Sequence, residues 1–384
     1  MNTNSLICQF ILDHPENWEE LLSSSYKIKI KKEGDYAILN YIMFDCDFSD
    51  PIVQECRGII VDYVKKEVVC WPFRKFGNYN EYYCDEIDWE SARVLEKVDG
   101  SIIKLWFDCQ KNDWQFSTNG TIRAENANVN EHVLEMSYGQ VILRADNYSD
   151  IPFDTLDKTN TYIFELVSPE TKLVVSYPFT RLYHLGTRSN ITGKEMELDI
   201  GIVKPKSYPI TTLSDCLKAA KALNEGNDNC VENEGFVVVD KNYHRVKIKT
   251  PDYLVVSKLS QLKTMSKRDI VELLIEGSNK IGMICDNNPH LAPYFKYYEF
   301  KLEELKYLSD KMAILARGLY KEFDRNRGAV AKIISPHYLA HIGFSALDND
   351  EDGSKILLSM HIERLIKLIP DYELEDLRNL LLKE

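Results

Sequence analysis

The sequence predicts an α+β protein in two parts, antiparallel sheets over residues 1–257 and an all-helical domain over 258–384. Up to about residue 250, short apolar or alternating runs are separated by Gly, Asn and Asp turn signals, the mark of strands joined by tight connections. After Pro251 the apolar residues recur instead at helical spacing. A chain of 384 residues also exceeds the usual size of a single core, so two domains are expected, with the boundary near 255–265.

In chain order, residues 4–24 read as one or two short helices broken at Asp13-His14-Pro15-Glu16. Tyr26 to Lys32 alternates as an edge strand, and Tyr36 to Tyr41 follows a Gly34-Asp35 turn. Glu55 to Asp62 and Val68 to Phe76 continue the sheet. Val94-Leu95 and Ile102 to Leu105 flank Asp99-Gly100, which taken alone reads as a plain β-hairpin. Trp114 to Thr118 runs into Asn119-Gly120, the strongest short hairpin signal in the chain. Residues 125–136 look helical; Thr161–Val167, Leu173–Tyr177 and Arg181–Thr187 read as strands, and Leu213–Leu223 as a helix. Gly235–Val239 and Val246–Ile248 are the last strands. Ser266 with Asp269 resembles a capping box, 291–325 has helical spacing throughout, and 355–368 and 371–383 continue it.

Composition narrows the classes. No apolar run approaches the ~18 residues of a membrane span, and Met1 to Ser5 lacks a signal-peptide start, so a cytosolic protein with no membrane partner is expected. Nine scattered cysteines without a Cys-x-x-Cys pair argue for reduced thiols rather than a disulfide framework or zinc knuckle. The net charge is -13, but residues 261–384 hold 18 basic and 20 acidic side chains, so most of the excess lies upstream. A polyanion must therefore bind at a local basic pocket against a repelling overall field.

Glu96-Lys97-Val98-Asp99-Gly100-Ser101 organises the candidates. A lysine attacks only as the free amine, and needs nearby positive charge, a metal or desolvation to become one. Arg57 and Lys75 are cations able to hold a triphosphate. Glu165 and Glu234 are carboxylates at apolar strands, costly to bury unless partnered. Lys247 and Lys249 lie two apart, on one strand face opposite Val246 and Ile248. These are the groups that nucleotidyl transfer needs.

In order, Arg57-Gly58, Lys97-Val98-Asp99-Gly100, Thr118-Asn119-Gly120, Phe164-Glu165, Glu234-Gly235-Phe236-Val237 and Val246-Lys247-Ile248-Lys249 resemble motifs I, III, IIIa, IV and V, with their upstream arginine, of the covalent nucleotidyltransferases. That superfamily includes DNA ligases, RNA ligases and capping enzymes. Glu55-Cys56-Arg57-Gly58, Arg74-Lys75-Phe76 and the helical tail make the chain similar to the bacteriophage T-even RNA ligase 1 family. Through about residue 255 the resemblance rests on motifs; beyond, on architecture.

The resemblance implies an N-terminal adenylyltransferase domain and an ATP-dependent joining of RNA 5'-phosphate and 3'-hydroxyl ends. Lys97 would attack the α-phosphate of ATP to give lysyl-AMP, the AMP would pass to the RNA 5' end, and the 3'-hydroxyl would displace it. Arg57 and Lys75 would contact the triphosphate, Glu165 the nucleoside and Lys247 with Lys249 the α-phosphate. Glu234 would serve the metal-dependent chemistry with Mg²⁺ or Mn²⁺, and Asp99, Gly100 and Gly235 would support their motifs. Mg²⁺ and the lysines would together depress the Lys97 pKa.

The helical domain would select the RNA, a cleaved tRNA among the implied targets, with an end-healing polynucleotide kinase-phosphatase as possible partner and host cytoplasm as the compartment if phage-encoded. One departure is Asn119, which stands where similar proteins carry a cation before the motif III glycine; an amide hydrogen-bonds but neutralises no charge. DNA ligases and capping enzymes share the nucleophile but usually continue into a small β-barrel, and a non-catalytic RNA- or nucleotide-binding module would be expected to lose Lys97 or the paired lysines. A helical scaffold beside an ordinary β domain leaves Glu165 and Glu234 unexplained. Asp348 to Gly353 matches part of a calcium loop, but position twelve is Ser359, so an acidic turn is the expectation.

Overall fold

A computed structural model describes residues 5–371 apart from 44, 130–135, 225–230, 262–265, 278–279, 288–290 and 350. The chain divides into two compact units, Met1–Leu254 and Val255–Glu384.

The first unit opens with helices α1 (Leu6–Asp13) and α2 (Trp18–Ser24), α1 capped by the Ser5 hydroxyl on the Cys8 amide. Strands β1 (Ile28–Glu33), β2 (Tyr36–Tyr41), β3 (Arg57–Asp62) and β4 (Glu67–Cys70) form an antiparallel sheet in that order, with β1 at the edge. Between β2 and β3 lies the short helix α3 (Pro51–Glu55), absent from the sequence reading although Asp50 caps it and Pro51 starts it. The strand expected over Val68–Phe76 ends at Cys70, and 71–77 runs on as irregular chain.

Strands β5 (Arg93–Glu96) and β6 (Ser101–Asp108) overturn the plain hairpin at Asp99-Gly100. They belong to different sheets, and Lys97–Gly100 is the crossing between them. The hairpin partner of β6 is β7 (Asp113–Ser117), joined through Cys109–Asn112 with Asn112 at φ +53°. Asn119-Gly120 is accordingly no hairpin turn: Gly120 keeps a negative φ and Thr118 and Thr121 close a small loop. Of the helix expected over 125–136, residues 124–126 form a single 3₁₀ turn, 128 bridges to 137, and 130–135 lie outside the described residues.

Helix α4 (Tyr138–Leu143) and strands β8 (Asn160–Val167), β9 (Arg181–Ser189) and β10 (Glu195–Met196) complete a five-stranded sheet ordered β10-β9-β8-β6-β7. Leu173–Tyr177 is loop rather than strand, for its backbone amides are turned toward Asp99. Strand β11 (Ser207–Tyr208), helix α5 (Leu213–Ala222), β12 (Gly235–Val239) and β13 (Arg245–Lys249) follow. A third sheet, β11-β5-β12-β13, packs Val94, Phe236, Val238, Val246 and Ile248 against α5.

The second unit is helical in all its described elements. Helix α6 (Pro251–Gln261) contains the division, and α7 (Lys267–Glu276) begins with the capping box on Ser266 and Asp269. Helices α8 (Lys280–Asn287), α9 (Ala292–Glu322), α10 (Arg327–Ile334), α11 (Ala340–Asp348), α12 (Gly353–Leu358) and α13 (Ile362–Leu368) pack around the long α9. The 355–368 pattern is thus two helices, and 372–383 lies outside the described residues. In the acidic turn Asp348 pairs with Arg327, while the carbonyls of Asn349 and Glu351 accept from Arg317; position 350 is outside the described residues. No described helix is long and apolar enough to cross a membrane, and Cys8, Cys46, Cys56, Cys70, Cys84, Cys109 and Cys216 are free thiols.

Candidate active site

A cavity of about 260 Å³ opens between the third sheet and the five-stranded sheet. One wall carries Leu95, Val237, Val239, Lys247 and Lys249; the other carries Ile102, Glu165, Leu185 and Met196, with Arg57, Phe73 and Phe76 closing one side. Period-two alternation explains the division on β12 and β13, since Phe236, Val238, Val246 and Ile248 face the core, which leaves Val237, Lys247 and Lys249 for the cavity.

Lys97 stands where the chain leaves β5. Its amide donates to Gly235 O at 2.8 Å, and Gly235 in turn lies opposite Lys249, so the three residues share one end of the sheet. A Cβ on Gly235 would fall 2.2 Å from Ile248 O, and its φ is +138°, so glycine is required there. Lys97 Nζ meets Glu234 Oε2 at 2.6 Å, and Lys249 Nζ meets Glu234 Oε1 at 2.9 Å. Glu234 itself is 3% exposed.

Asp99 acts on the crossing rather than in the cavity, and Gly100 does both, lying on the cavity lining. Asp99 Oδ2 accepts from the amides of Val174 and Val175 at 3.0 and 2.8 Å, and Oδ1 from Tyr253 Oη at 2.7 Å. A Cβ on Gly100 would meet Leu166 O at 2.3 Å, so only glycine lets the crossing press against β8. The aspartate thus bolts down the segment that presents Lys97.

The electrostatics run partly against expectation. Burial pulls the Lys97 amine down, but Glu234, through charge and hydrogen bond, together with Glu165 and Asp99 outweighs it and leaves the pKa above the usual lysine value. The Lys97 amine is therefore protonated, because Glu234 pairs with it. Lys247 behaves in the expected way: burial, then Arg57, Lys75, Lys97 and Lys249, push its amine well below the ordinary range. Burial, with Glu234 adding to it, lifts Glu165 to about 7. Glu234 stays below its ordinary value because Lys97 and Lys249 overcome its burial.

Arg57 and Lys247 both stack on Phe76, at 5.2 and 4.7 Å from the ring centre. Lys75 does not line the cavity; its Nζ lies over Tyr41 and Phe48, and burial, with Arg57 nearby, lowers it to about 8. Asn119 is also outside the cavity, its Oδ1 buried without a hydrogen-bond partner. The far end of the cavity holds two ion pairs, Arg93 with Glu197 and Arg245 with Glu195.

Among the described residues no group of three or more His, Cys, Asp or Glu side chains could hold a metal. Glu234 fits a different arrangement, a hard cation held by a single carboxylate and by nucleotide phosphates.

A family model described as RNA ligase, of the T4 RNA ligase 1 type, matches residues 55–253, more than half of the chain and the whole span that builds this cavity. The chain belongs to the RNA ligase family. Membership bears out the RNA ligase resemblance read from the sequence.

An RNA ligase of Rhodothermus phage RM378 is 23% identical over 93% of this ligase and 97% of its own length. A protein of Autographa californica nuclear polyhedrosis virus, provisionally named a bifunctional polynucleotide kinase/RNA ligase, is 30% identical over 72% of this chain but only 41% of its own length. This chain therefore spans less than half of that viral relative. An archaeal ATP-dependent RNA ligase structure is 12% identical, with a TM-score of 0.45 over 77% of this chain and 82% of that one.

Sequence reasoning missed Tyr253, the Arg93 and Arg245 ion pairs and Lys104. For Lys104 a signal was present: it shares a strand face with Ile102 and Trp106, two positions on either side, so a period-two reading puts a lysine on a buried face.

Proposed function

We propose that this ligase joins RNA 5'-phosphate and 3'-hydroxyl ends through a lysyl-AMP intermediate on Lys97 and an adenylylated RNA 5' end. The observation that carries the reading is the placement of the Lys97 amine at the cavity floor, beside Glu234 and Lys249, with Arg57 and Lys247 facing the same space without ion-pair partners among the described residues. Two unpaired cations on one aromatic ring suit an anion, and the nucleotide brings one.

ATP enters with its phosphates toward Arg57, Lys247 and Lys249 and its nucleoside along Leu95, Val237 and Glu165. Lys97 must lose a proton before its lone pair reaches the α-phosphorus, and pyrophosphate leaves as the P–N bond forms. Charge that builds on the phosphorus oxygens falls to Lys247 and Lys249. In the later steps the RNA 5'-phosphate oxygen takes the AMP from Lys97, and the 3'-hydroxyl oxygen then releases AMP as the phosphodiester forms. Glu234 is the residue that would hold Mg²⁺ or Mn²⁺, and such an ion neutralises phosphate charge and lowers the pKa of a neighbouring amine.

RNA repair is the role we assign. The viral relative's name couples a polynucleotide kinase to an RNA ligase, which supports pairing this ligase with a separate end-healing enzyme that leaves a 5'-phosphate. The second unit is assigned to substrate choice, with the broken loop of a cleaved tRNA as the target class.

Incubation with α-labelled ATP and Mg²⁺ or Mn²⁺, followed by a denaturing gel, tests the reading. Acid-labile label on Lys97, absent in Lys97→Ala, is expected. Label from GTP alone would move the protein to the capping enzymes, and no label in folded, unadenylylated protein would refute the covalent mechanism.

A further inference from the structure

Lys104 lies in the middle of β6, seven residues beyond Lys97, and is completely buried. Around it is an apolar layer between the first sheet and the five-stranded sheet, formed by Tyr36, Ile38, Ile60, Cys70, Trp106 and Ile122. Among the described residues no carboxylate meets its ammonium. Nζ donates instead to two main-chain carbonyls, Gly58 O and Thr118 O, both at 2.7 Å. Gly58 follows Arg57, which lines the cavity; Thr118 precedes Asn119 in the loop after β7.

The approach is close. Gly58 has φ +80°, and a Cβ there would fall 2.6 Å from Lys104 Nζ and 2.8 Å from Asn119 Cα. Glycine at 58 therefore serves both the bulge in β3 and the space that the lysine and the loop need. Burial draws the Lys104 amine down to about 8, so at neutral pH it remains a cation, set beside an asparagine that carries no charge.

A lysine in such a layer is poor material for stability alone. An apolar side chain of similar length would fill the space without desolvating a charge, and replacement of buried charges by apolar residues is often neutral or stabilising. What the lysine supplies, and a methionine could not, is a fixed bond to two separate segments, one of which carries Arg57.

Resting on the nucleotide site proposed above, we infer that Lys104 is a positioning residue for ATP binding: its ammonium ties the Arg57-Gly58 corner to the Thr118-Asn119 loop and thereby aims Arg57 at the nucleotide phosphates. Lys104 touches no nucleotide atom. It acts through the main chain of its neighbour, which distinguishes it from Lys247 and Lys249 on the cavity wall.

The experiment is a double-mutant cycle on the full chain, with Arg57→Ala, Lys104→Met and the pair together. Label transfer from ATP to the enzyme is measured against ATP concentration, beside a thermal melt. Lys104→Met is expected to raise the apparent KM for ATP about tenfold, with a smaller change in the rate at saturation. In the Arg57→Ala background it is expected to add less than about twofold, since the side chain it aims has gone. A merely structural lysine would shift the melting temperature, leave KM unchanged and give additive effects; any of these KM or additivity results in folded protein overturns the inference.

If Lys104→Met does not fold, Lys104→Gln keeps one donor for one carbonyl and is read in the same cycle, and a wild-type KM there is equally fatal. Absence of label in the wild-type enzyme would instead refute the covalent reading of the site, so the two failures are told apart.

Discussion

Replacing Glu234 by Gln separates what this carboxylate does for the fold from what it does for the chemistry. It is 3% exposed and holds Lys97 at 2.6 Å and Lys249 at 2.9 Å, whose side chains are 18% and 19% exposed. Removing one partner of a buried ion pair costs ~3–5 kcal/mol, and the partial exposure of both lysines puts the expected loss near the lower end, about 3 kcal/mol. For a unit of this size each kcal/mol lowers Tm by roughly 2–4 °C, so the melt should fall by roughly 6–12 °C.

The same change strips Lys97 of the strongest of the groups that keep it protonated, leaving only Glu165 and Asp99 to oppose burial, so its amine should move down. An amine-reactive acylating reagent at pH 7 should then modify Lys97 faster in Glu234→Gln than in the wild type, as read by peptide mapping. Label transfer from ATP should nevertheless drop at least ~100-fold, because the carboxylate for the divalent ion has gone. An unchanged melt with unchanged Lys97 acylation would refute the account of the pair, and wild-type label transfer would refute the metal role.

Three further outcomes are expected. Gly100→Ala sets a methyl 2.3 Å from Leu166 O, so the crossing must shift; a loss of ~1–3 kcal/mol and slower self-adenylylation from a displaced Lys97 are expected from melts and label kinetics. His184 is 1% exposed, and burial, with Lys204 adding to it, lowers its pKa from 6.5 to about 4. The unfolded chain takes up that proton below pH 6.5 while the folded one resists until about 4, so stability is full above 6.5 and declines between these values by roughly 3 kcal/mol. Urea titrations of wild type and His184→Gln across that range should show a shallower decline in the variant. Truncation before residue 261 should spare label transfer to Lys97 and change the choice between a nicked tRNA loop and linear RNA; unchanged selectivity would sink the role given to the second unit.

Much of the fold was legible where turn chemistry and periodicity agree. Gly34-Asp35 between two alternating runs gave β1 and β2, and Ser266 with Asp269 gave the start of α7. The failures have a shared physical cause, in that a local signal was outcompeted by a distant partner. Asp99-Gly100 has the composition of a hairpin turn, yet Leu95 finds its partner in Val237 and Ile103 in Phe164, so the turn becomes a crossing between sheets. Leu173–Tyr177 has strand composition, but Asp99 consumes two of its backbone amides. That Arg57, Lys97, Glu165, Glu234, Lys247 and Lys249 line one cavity was anticipated from their charges and strand positions; the pairing of Glu234 with Lys97 and Lys249, which holds the Lys97 amine above its usual value, was not.

The charge arrangement argues for an order of events. Glu234 engages two of the four cations that line the cavity floor, and the two it leaves, Arg57 and Lys247, are the pair stacked on Phe76. Burial and the neighbouring cations push the Lys247 amine down, so an incoming anion would favour its charged form, while Lys97 already has Glu234 beside it. On the function proposed above, a nucleotide triphosphate would be drawn first to Arg57 and Lys247, whose charges Glu234 leaves unpaired. A divalent ion held by Glu234 would compete with Lys97 for that carboxylate. On the same reading Lys97, paired with Glu234 at 2.6 Å, would stay a poor nucleophile until that pairing is broken.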